Sequence, residues 1–405
     1  MTIAVLEALT FGLGRMVAAA ETAGQRLCLL TGNRDIYRHE LAQLSPTALD
    51  VVDVDTHDLA ACAAALKAVP DLRGLINSTD TWLLAGAELA AQFGLPGPDP
   101  AAVHTLRDKA RVRVRLHERG LSRGTAVTVP PGPGAARSVR NAIGLPAVVK
   151  DSAGTGSRNV WLARDAEQLD AALAEAAGRT LFGRLVAEPF LAGPLYSAET
   201  LGWAGRTRLL GVTGRLISPQ WFGREDLLSF PVLFPGAELA ALEDWVVRVL
   251  AVAGHTQGFA HVEFVLTADG PELVEINGRI GGCLAGEALC RSLGTNVYDA
   301  MIDMALGGCP ALLDEAGTGD TARPTATALV YPNRPGTFTG ITGVEELPAL
   351  PGAPEWYPTM LAGRRVEHLG DQRACTGLLL AEGATTELAI YHAHSAAATL
   401  RPAMA

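Results

Sequence analysis

No two cysteines in this 405-residue chain are spaced as CxxC, and no histidine cluster stands near any of the six to complete a zinc site. A zinc module is thereby set aside, and Cys28, Cys62, Cys283, Cys290, Cys309 and Cys375 read as reduced core thiols. Positive charge is in deficit: 33 Lys and Arg face 43 Asp and Glu, giving a net charge of −10. Such a balance opposes broad attraction to phosphate backbones or anionic lipid, so neither nucleic acid nor membrane is an expected partner, although a local basic pocket is still allowed. No apolar run reaches membrane-spanning length, and MTIAVLEALTFGLG lacks the basic start and small-residue cleavage site of a signal peptide. The expected compartment is therefore the cytoplasm. There is also no internal repeat and no low-complexity tail.

With 48% hydrophobic and 19% charged residues, the chain has the composition of a folded globular protein, and its length predicts two to four domains. The first hundred residues alternate short apolar runs with helical stretches (TIAVLEAL, GRMVAAAETAG, RLCLLTG), which predicts a parallel sheet. Gly12 and Gly14 lie between the first strand and helix, but without a third glycine they favour simple packing over a dinucleotide turn. Pro96, Pro98 and Pro100 cannot continue a helix and predict a connector, with a domain boundary near residue 101. A second boundary is expected in GGCPALLDEAGTGDTARP, after which short runs with Gly and Pro turns predict a small β-rich domain. The expected domains are 1–101, 102–308 and 309–405, an α/β multi-domain architecture.

Two segments carry chemistry. In LPAVVKDSAGTGSRNVWLA a buried-strand pattern ends at Lys150 and passes into a loop with Gly154, Gly156 and Ser157. Glycine N–H groups can approach phosphate oxygens closely, Ser157 can add a hydroxyl donor, and the lysine supplies a point charge. The lysine precedes the glycines, so this is not a P-loop, and a plain hairpin loop is the competing reading. In GFAHVEFVLTADGPELVEINGRIGG, Glu263 and Glu275 lie on two alternating runs joined by a turn, and Glu275 and Asn277 share a face by two-residue periodicity. Two carboxylates and an amide oxygen form a hard donor set that suits Mg²⁺. Arg279 continues that face as a fork for a phosphoryl or carboxylate group, and Gly281 and Gly282 offer unhindered N–H groups beside it. The competing reading is the solvated face of a hairpin. His261 shares the face of Glu263. Asn77, Thr79 and Asp80 end a strand, where parallel sheets often face ligands, but read first as a turn cap, and His392 with His394 reads as a surface pair on a strand.

Strand lysine, glycine loop, acidic hinge, then Glu and Glu-x-Asn occur here in an order that resembles the ATP-grasp superfamily. The resemblance covers nearly the whole chain, and VEINGRIGG resembles the branch that includes the L-amino-acid ligases. It implies an ATP-grasp fold with an N-terminal Rossmann-like domain and a small β-rich C-terminal domain. It also implies two nucleotide-phosphate lysines, Lys109 and Lys150. The hinge becomes LVAEPFLAGPLYSAET, with Glu188, Pro189, Phe190 and Leu191 toward the nucleotide and Glu199 in a Tyr-Ser-x-Glu motif. Glu263, Glu275 and Asn277 are the implied metal ligands, for Mg²⁺ or Mn²⁺, and Arg279 the implied contact to an acyl phosphate. The dipeptide-forming members resemble one another in a Phe-Val-Glu-x-Gly-His segment, whereas this chain reads QWFGREDLLSFP, keeping Phe222 and lacking the histidine. Trp221, Phe222 and Arg224 are thus candidates for a substrate pocket of different shape.

The expected function is an ATP-dependent carboxylate–amine ligase that forms an amide through an acyl phosphate and releases ADP and phosphate. Its partners would be small carboxylates and amines, with a homodimer as a common assembly for enzymes of this size. Two alternatives stand beside it: an ATP-grasp carboxylase acting on bicarbonate, and a nucleotide-binding regulatory protein without turnover.

Overall fold

A computed structural model of the chain describes residues 1–315, 323–370 and 372–405. The expected second boundary, 307–324, lies partly outside the described residues. Among the described residues no helix is long and apolar enough to cross a membrane.

The first segment forms the parallel sheet its alternation predicts, with the spatial order Asp50–Asp53, Arg26–Thr31, Thr2–Leu6, Leu72–Ile76. Its two inner strands are apolar at almost every position because helices cover both faces. The helix Leu13–Thr22 packs on the helix Asp299–Ala305, so Leu13, Met16 and Val17 share a core with Met301 and Ile302. Chain from beyond residue 285 therefore closes the N-terminal layer. Gly12 caps the helix Leu13–Thr22 at φ 107°, and a Cβ there would meet the Tyr298 hydroxyl at 2.0 Å. The Gly14 N–H donates to Glu40 Oε2 at 2.7 Å. The chain's own carboxylate thus takes the place an anion would seek at that helix end.

Pro100 opens the helix Pro100–Leu106, with Asp99 capping the N–H groups of Ala101 and Ala102. Beyond it, a small antiparallel sheet runs in the order Val127–Thr128, Leu185–Pro189, Ala147–Asp151, Val160–Ala163. The helices Ala135–Ala142 and Ala166–Ala177 bury Val139, Leu169 and Ala172 against its side of the molecule. The second, larger sheet has eight antiparallel strands: Gly270–Asn277, Gly258–Thr267, Leu195–Trp203, Arg206–Ile217, Glu225–Phe230, Thr325–Val330, Gly377–Glu382 and Glu355–Pro358. Helix Gly236–Ala253 packs Trp245, Val246 and Val249 under it.

Pairing of Glu225–Phe230 with Thr325–Val330 carries this sheet across residue 309, so the C-terminal segment continues the central one. The small β-rich part proper is a three-stranded sheet of Arg365–Val366, Gly336–Thr342 and Arg401–Met404. His392 and His394 are not on a strand. They lie on the helix Thr386–Ala397, where residues two apart point to different faces, and His392 Nδ1 is 2.6 Å from the Glu382 carbonyl oxygen. Cys28, Cys62, Cys290 and Cys375 are buried, but Cys309 is exposed, so the core reading fails for that thiol.

Candidate active site

Between the small sheet and the large one lies a cavity of about 370 Å³. Its floor is the hairpin Gly258–Thr267 and Gly270–Asn277, which pairs Glu263 with Glu275 and His261 with Asn277. That register brings both glutamates to the cavity. Asn277 Nδ2 donates to Glu275 Oε1 at 3.0 Å.

The acidic groups pair with cations drawn from distant parts of the chain. Lys109, the first residue of the helix Lys109–Glu118, has its Nζ 3.0 Å from Glu275 Oε2 and donates to the Gly154 carbonyl at 2.6 Å. Arg215, on the strand Arg206–Ile217, spans Glu263, Glu225 and the Ser197 hydroxyl. Burial pushes the Glu263 carboxyl up, but Arg215 and His261 together hold it well below the usual carboxylate range. Burial likewise pulls the His261 imidazole down, yet Glu199 and Glu263 outweigh it and raise it to about 9. His261 is therefore a cation that ties Glu199, 2.8 Å from its Nδ1, to Glu263, 3.4 Å from its Nε2.

Lys150 is the last residue but one of the strand Ala147–Asp151, where it ion-pairs with Glu188. Arg113 Nη2 lies 3.2 Å from the other Glu188 oxygen, without hydrogen-bond alignment. Burial lowers the Lys150 ammonium from its ordinary value, Glu188 opposing and Arg113 and Lys109 adding to the effect. Pro189, Phe190 and Leu191 continue the wall, and the Phe190 ring stands 6.3 Å from that of Phe222. Gly154, Gly156 and Ser157 form the roof, with Gly156 and Ser157 left-handed at φ 60° and 57°. The Ser157 hydroxyl donates to the Gly223 carbonyl at 2.7 Å, fastening the roof to the loop that carries Phe222. Asp151 accepts N–H bonds from Ala153, Phe182 and Gly183, which orders the start of that roof.

Arg279 lines the cavity, with its Nε donating to Asp80 Oδ2 at 2.7 Å and its Nη1 to the Ile280 carbonyl at 2.8 Å. Asp80 is thus not a turn cap. It holds one edge of the arginine, whereas Asn77 and Thr79 do make the local turn.

Some expected site residues stand elsewhere. Glu199 is buried behind His261 and does not line the cavity. Trp221 faces a separate outer cleft. Arg224 donates to the Leu369 carbonyl and to Asp226, with its guanidinium 4.3 Å from the centre of the Tyr331 ring. Gly282 lines the main cavity, while Gly281 lines only an adjoining one. A Cβ on Gly281 would sit 2.8 Å from His261 Nδ1, which explains the glycine by close packing. Conversely, Arg215, Glu225 and Gln372 line the cavity without having been singled out. No motif spacing marks Arg215 or Gln372 in the sequence, and Glu225 lies three residues beyond Phe222 in the segment QWFGREDLLSFP.

Among the described residues no three His, Cys, Asp or Glu side chains form a metal cluster, so two carboxylates and one amide are what the protein offers a cation. That oxygen set fits Mg²⁺, which commonly takes one or two carboxylates and fills its remaining positions with water and phosphate.

A family model described as an ATP-grasp domain matches residues 123–283, and one described as L-amino acid ligase C-terminal domain 2 matches residues 328–405. The solved L-amino acid ligase of Bacillus licheniformis superposes on 100% of this chain and 98% of its own, with a TM-score of 0.82 at 20% identity. The chain carries an ATP-grasp domain and resembles the L-amino acid ligases. At that identity the structural likeness speaks for the ATP-grasp fold alone. A biotin carboxylase domain of a Hydrogenobacter thermophilus 2-oxoglutarate carboxylase, solved with MgADP and bicarbonate, shares the fold at a TM-score of 0.74 and 17% identity. It covers 100% of this chain and 90% of that one. By sequence, the ATP-grasp chain is 28% identical to the uncharacterized protein y4rH of Sinorhizobium fredii (strain NBRC 101917 / NGR234) over 80% of its length and 67% of that protein's. It is 27% identical to carnosine synthase 1 of Gallus gallus over 58% of its length, but the match spans only 27% of that longer enzyme.

Proposed function

We propose that this chain is an ADP-forming carboxylate–amine ligase that joins two small molecules through an acyl phosphate. The observation that carries the reading is the single cavity in which Glu263, Glu275 and Asn277 share space with Lys109, Lys150 and Arg279. Metal-type oxygen donors, phosphate-type cations and one forked cation are the groups that phosphoryl transfer to a carboxylate needs.

Glu263, Glu275 and Asn277 would hold Mg²⁺, which supplies neutralising charge to the triphosphate. Lys109 and Lys150 neutralise further phosphate charge, and the roof at Gly154 to Ser157 covers the transferring group with backbone N–H donors. Phe190, Leu191 and Phe222 give the adenine an apolar slot. A substrate carboxylate oxygen attacks the γ-phosphorus, the bond from that phosphorus to the bridging oxygen breaks, and ADP leaves. Arg279, pre-oriented by Asp80, stabilises the acyl phosphate. An amine nitrogen then attacks the acyl carbon, the carbon–oxygen bond to phosphate breaks, and the nitrogen loses a proton. The roof excludes water, because an exposed acyl phosphate would hydrolyse.

The carboxylase reading shares the fold but accounts less well for a C-terminal segment matched by an L-amino acid ligase domain. The test is ADP and phosphate release with Mg²⁺ and ATP across amino acids and simple carboxylates, alone and in pairs. Release that requires a carboxylate and rises with an amine supports the ligase, and Glu275→Ala should lower it by about a hundredfold or more. Release driven by bicarbonate alone, or nucleotide binding with no release under any pair, would reject it.

A further inference from the structure

Outside the roof lies an open cleft of about 990 Å³, larger than the main cavity. Its walls come from three places: the strand Val160–Ala163 with the helix Ala166–Ala177, the loop 218–222, and the C-terminal loop around His368. Ser157, Arg158, Val160, Ile217 and Phe222 line both spaces. The cleft therefore meets the main cavity at the roof and beside the apolar slot of Phe190 and Phe222.

Its charge is opposite to that of the whole chain. Four arginines and two glutamates line it, in a protein of net charge −10. Arg179 is paired with Glu175 at 2.6 Å, Glu367 with Arg365 at 3.4 Å, and Arg373 has interactions of its own. Arg158 and Arg164 have no ion pair among the described residues. Their guanidiniums lie against aromatic rings, Arg158 at 5.4 Å from the centre of Phe182 and Arg164 at 5.6 Å from that of Phe190. Such a contact orients the cation and leaves its N–H donors for a ligand. In the main cavity, by contrast, Lys109, Lys150, Arg215 and Arg279 are each matched to a carboxylate. Arg158, common to both spaces, is the one lysine or arginine lining the main cavity that has no ion pair among the described residues.

We propose that the outer cleft is the encounter site for the nucleotide, where Arg158 and Arg164 draw in the Mg²⁺-bound triphosphate before it passes under the roof. The inference rests on the reading that the main cavity takes ATP. An acidic protein repels a polyanion at most approaches, so uncompensated positive charge beside the entrance selects the route. The field of the two arginines falls alike on the nucleotide entering and on the nucleotide bound. It therefore shows in the on-rate and scarcely in the off-rate. A unit charge about 10 Å from a doubly negative Mg²⁺–nucleotide in water changes the encounter rate by about fourfold, and two such charges by roughly tenfold or more.

Stopped-flow mixing with Mg²⁺ and the fluorescent nucleotide mant-ATP, read by energy transfer from tryptophan, tests this on the wild type, Arg158→Gln, Arg164→Gln and the double variant. At about 20 mM salt the double variant should bind roughly tenfold more slowly, with an off-rate within about twofold of wild type. The difference should shrink below about twofold near 0.5 M salt, where the Debye length falls to about 4 Å. Arg115, an exposed residue of the helix Lys109–Glu118, has no ion pair among the described residues and lies outside both spaces. Arg115→Gln removes the same charge elsewhere and should leave the on-rate within about twofold. An unchanged on-rate in the double variant, a loss of affinity carried by the off-rate, or an equal slowdown in Arg115→Gln overturns the encounter site. The two readings fail separately. No binding of mant-ATP by the wild type rejects the nucleotide reading and this inference with it, whereas binding with an on-rate indifferent to Arg158 and Arg164 rejects the cleft alone.

Discussion

Glu188 was expected at the nucleotide hinge, and its carboxylate is committed to two buried cations, Lys150 and Arg113. All three side chains are almost fully buried, so removing the anion leaves Lys150 without an ion-pair partner and Arg113 with only Glu272, 3.9 Å away, in a medium that solvates charge poorly. Breaking a buried pair in this way typically costs about 3–5 kcal/mol. For a domain of roughly 150–250 residues, 1 kcal/mol moves the melting temperature by about 2–4 °C, so Glu188→Ala should lower it by about 6–20 °C. Glu188→Gln should fall between, since the amide oxygen still accepts a hydrogen bond but brings no charge. A further variant that replaces all three, Arg113→Met, Lys150→Met and Glu188→Leu, should recover most of the lost stability while losing affinity for nucleotide. Differential scanning calorimetry reads the first effect and titration with ADP the second. A loss below about 1 kcal/mol in Glu188→Ala would refute the reasoning, because it would mean that water already compensates the two cations.

Glu287, between Arg15 and Arg291, joins the N-terminal layer to the helix Ala285–Leu293. Burial raises its carboxyl, but the two arginines win and hold it below the ordinary 4.5. The unfolded chain then takes up the proton first, so this stabilisation is complete above about pH 4.5 and is lost as pH falls through the lower folded value. Melting temperatures of wild type and Glu287→Gln should therefore differ most near neutrality and converge in acid, and a gap that widens below pH 4.5 would contradict it. Ser157→Ala removes the one side-chain bond from the roof loop to Gly223, worth about 0.5–1.5 kcal/mol. Amide hydrogen exchange in residues 153–158 should speed up by roughly two- to tenfold, with no change at the hairpin Gly258–Thr267 and Gly270–Asn277.

Much of the floor of the site was legible because strand periodicity is local physics. A two-residue repeat puts Asn277 on the face of Glu275, but regular pairing from the turn at Ala268 and Asp269 would set Glu263 opposite Val274, and only the bulge between Glu263 and Phe264 sets it opposite Glu275. The alternation in the first hundred residues determined a parallel sheet for the same reason, since apolar runs of strand length between helices leave few other ways to bury their surface. The histidine pair near the C-terminus misled because residues two apart share a face on a strand but not on a helix. There the helix Thr386–Ala397 prevailed, capped by Thr385 and packed through Ala389, Ala393 and Ala396.

What tertiary structure alone decided is which distant charge meets which. Asp80 reaches Arg279 across 199 residues, and Lys109 meets Glu275 across the two lobes. Arg215 and Glu225 become site residues only because adjacent strands bring them over the same floor. Composition and spacing contain no record of such pairings. A buried charge is stabilised by whichever opposite charge packing brings within a few ångströms, and that neighbour is chosen by the assembly of whole sheets, not by the sequence around it.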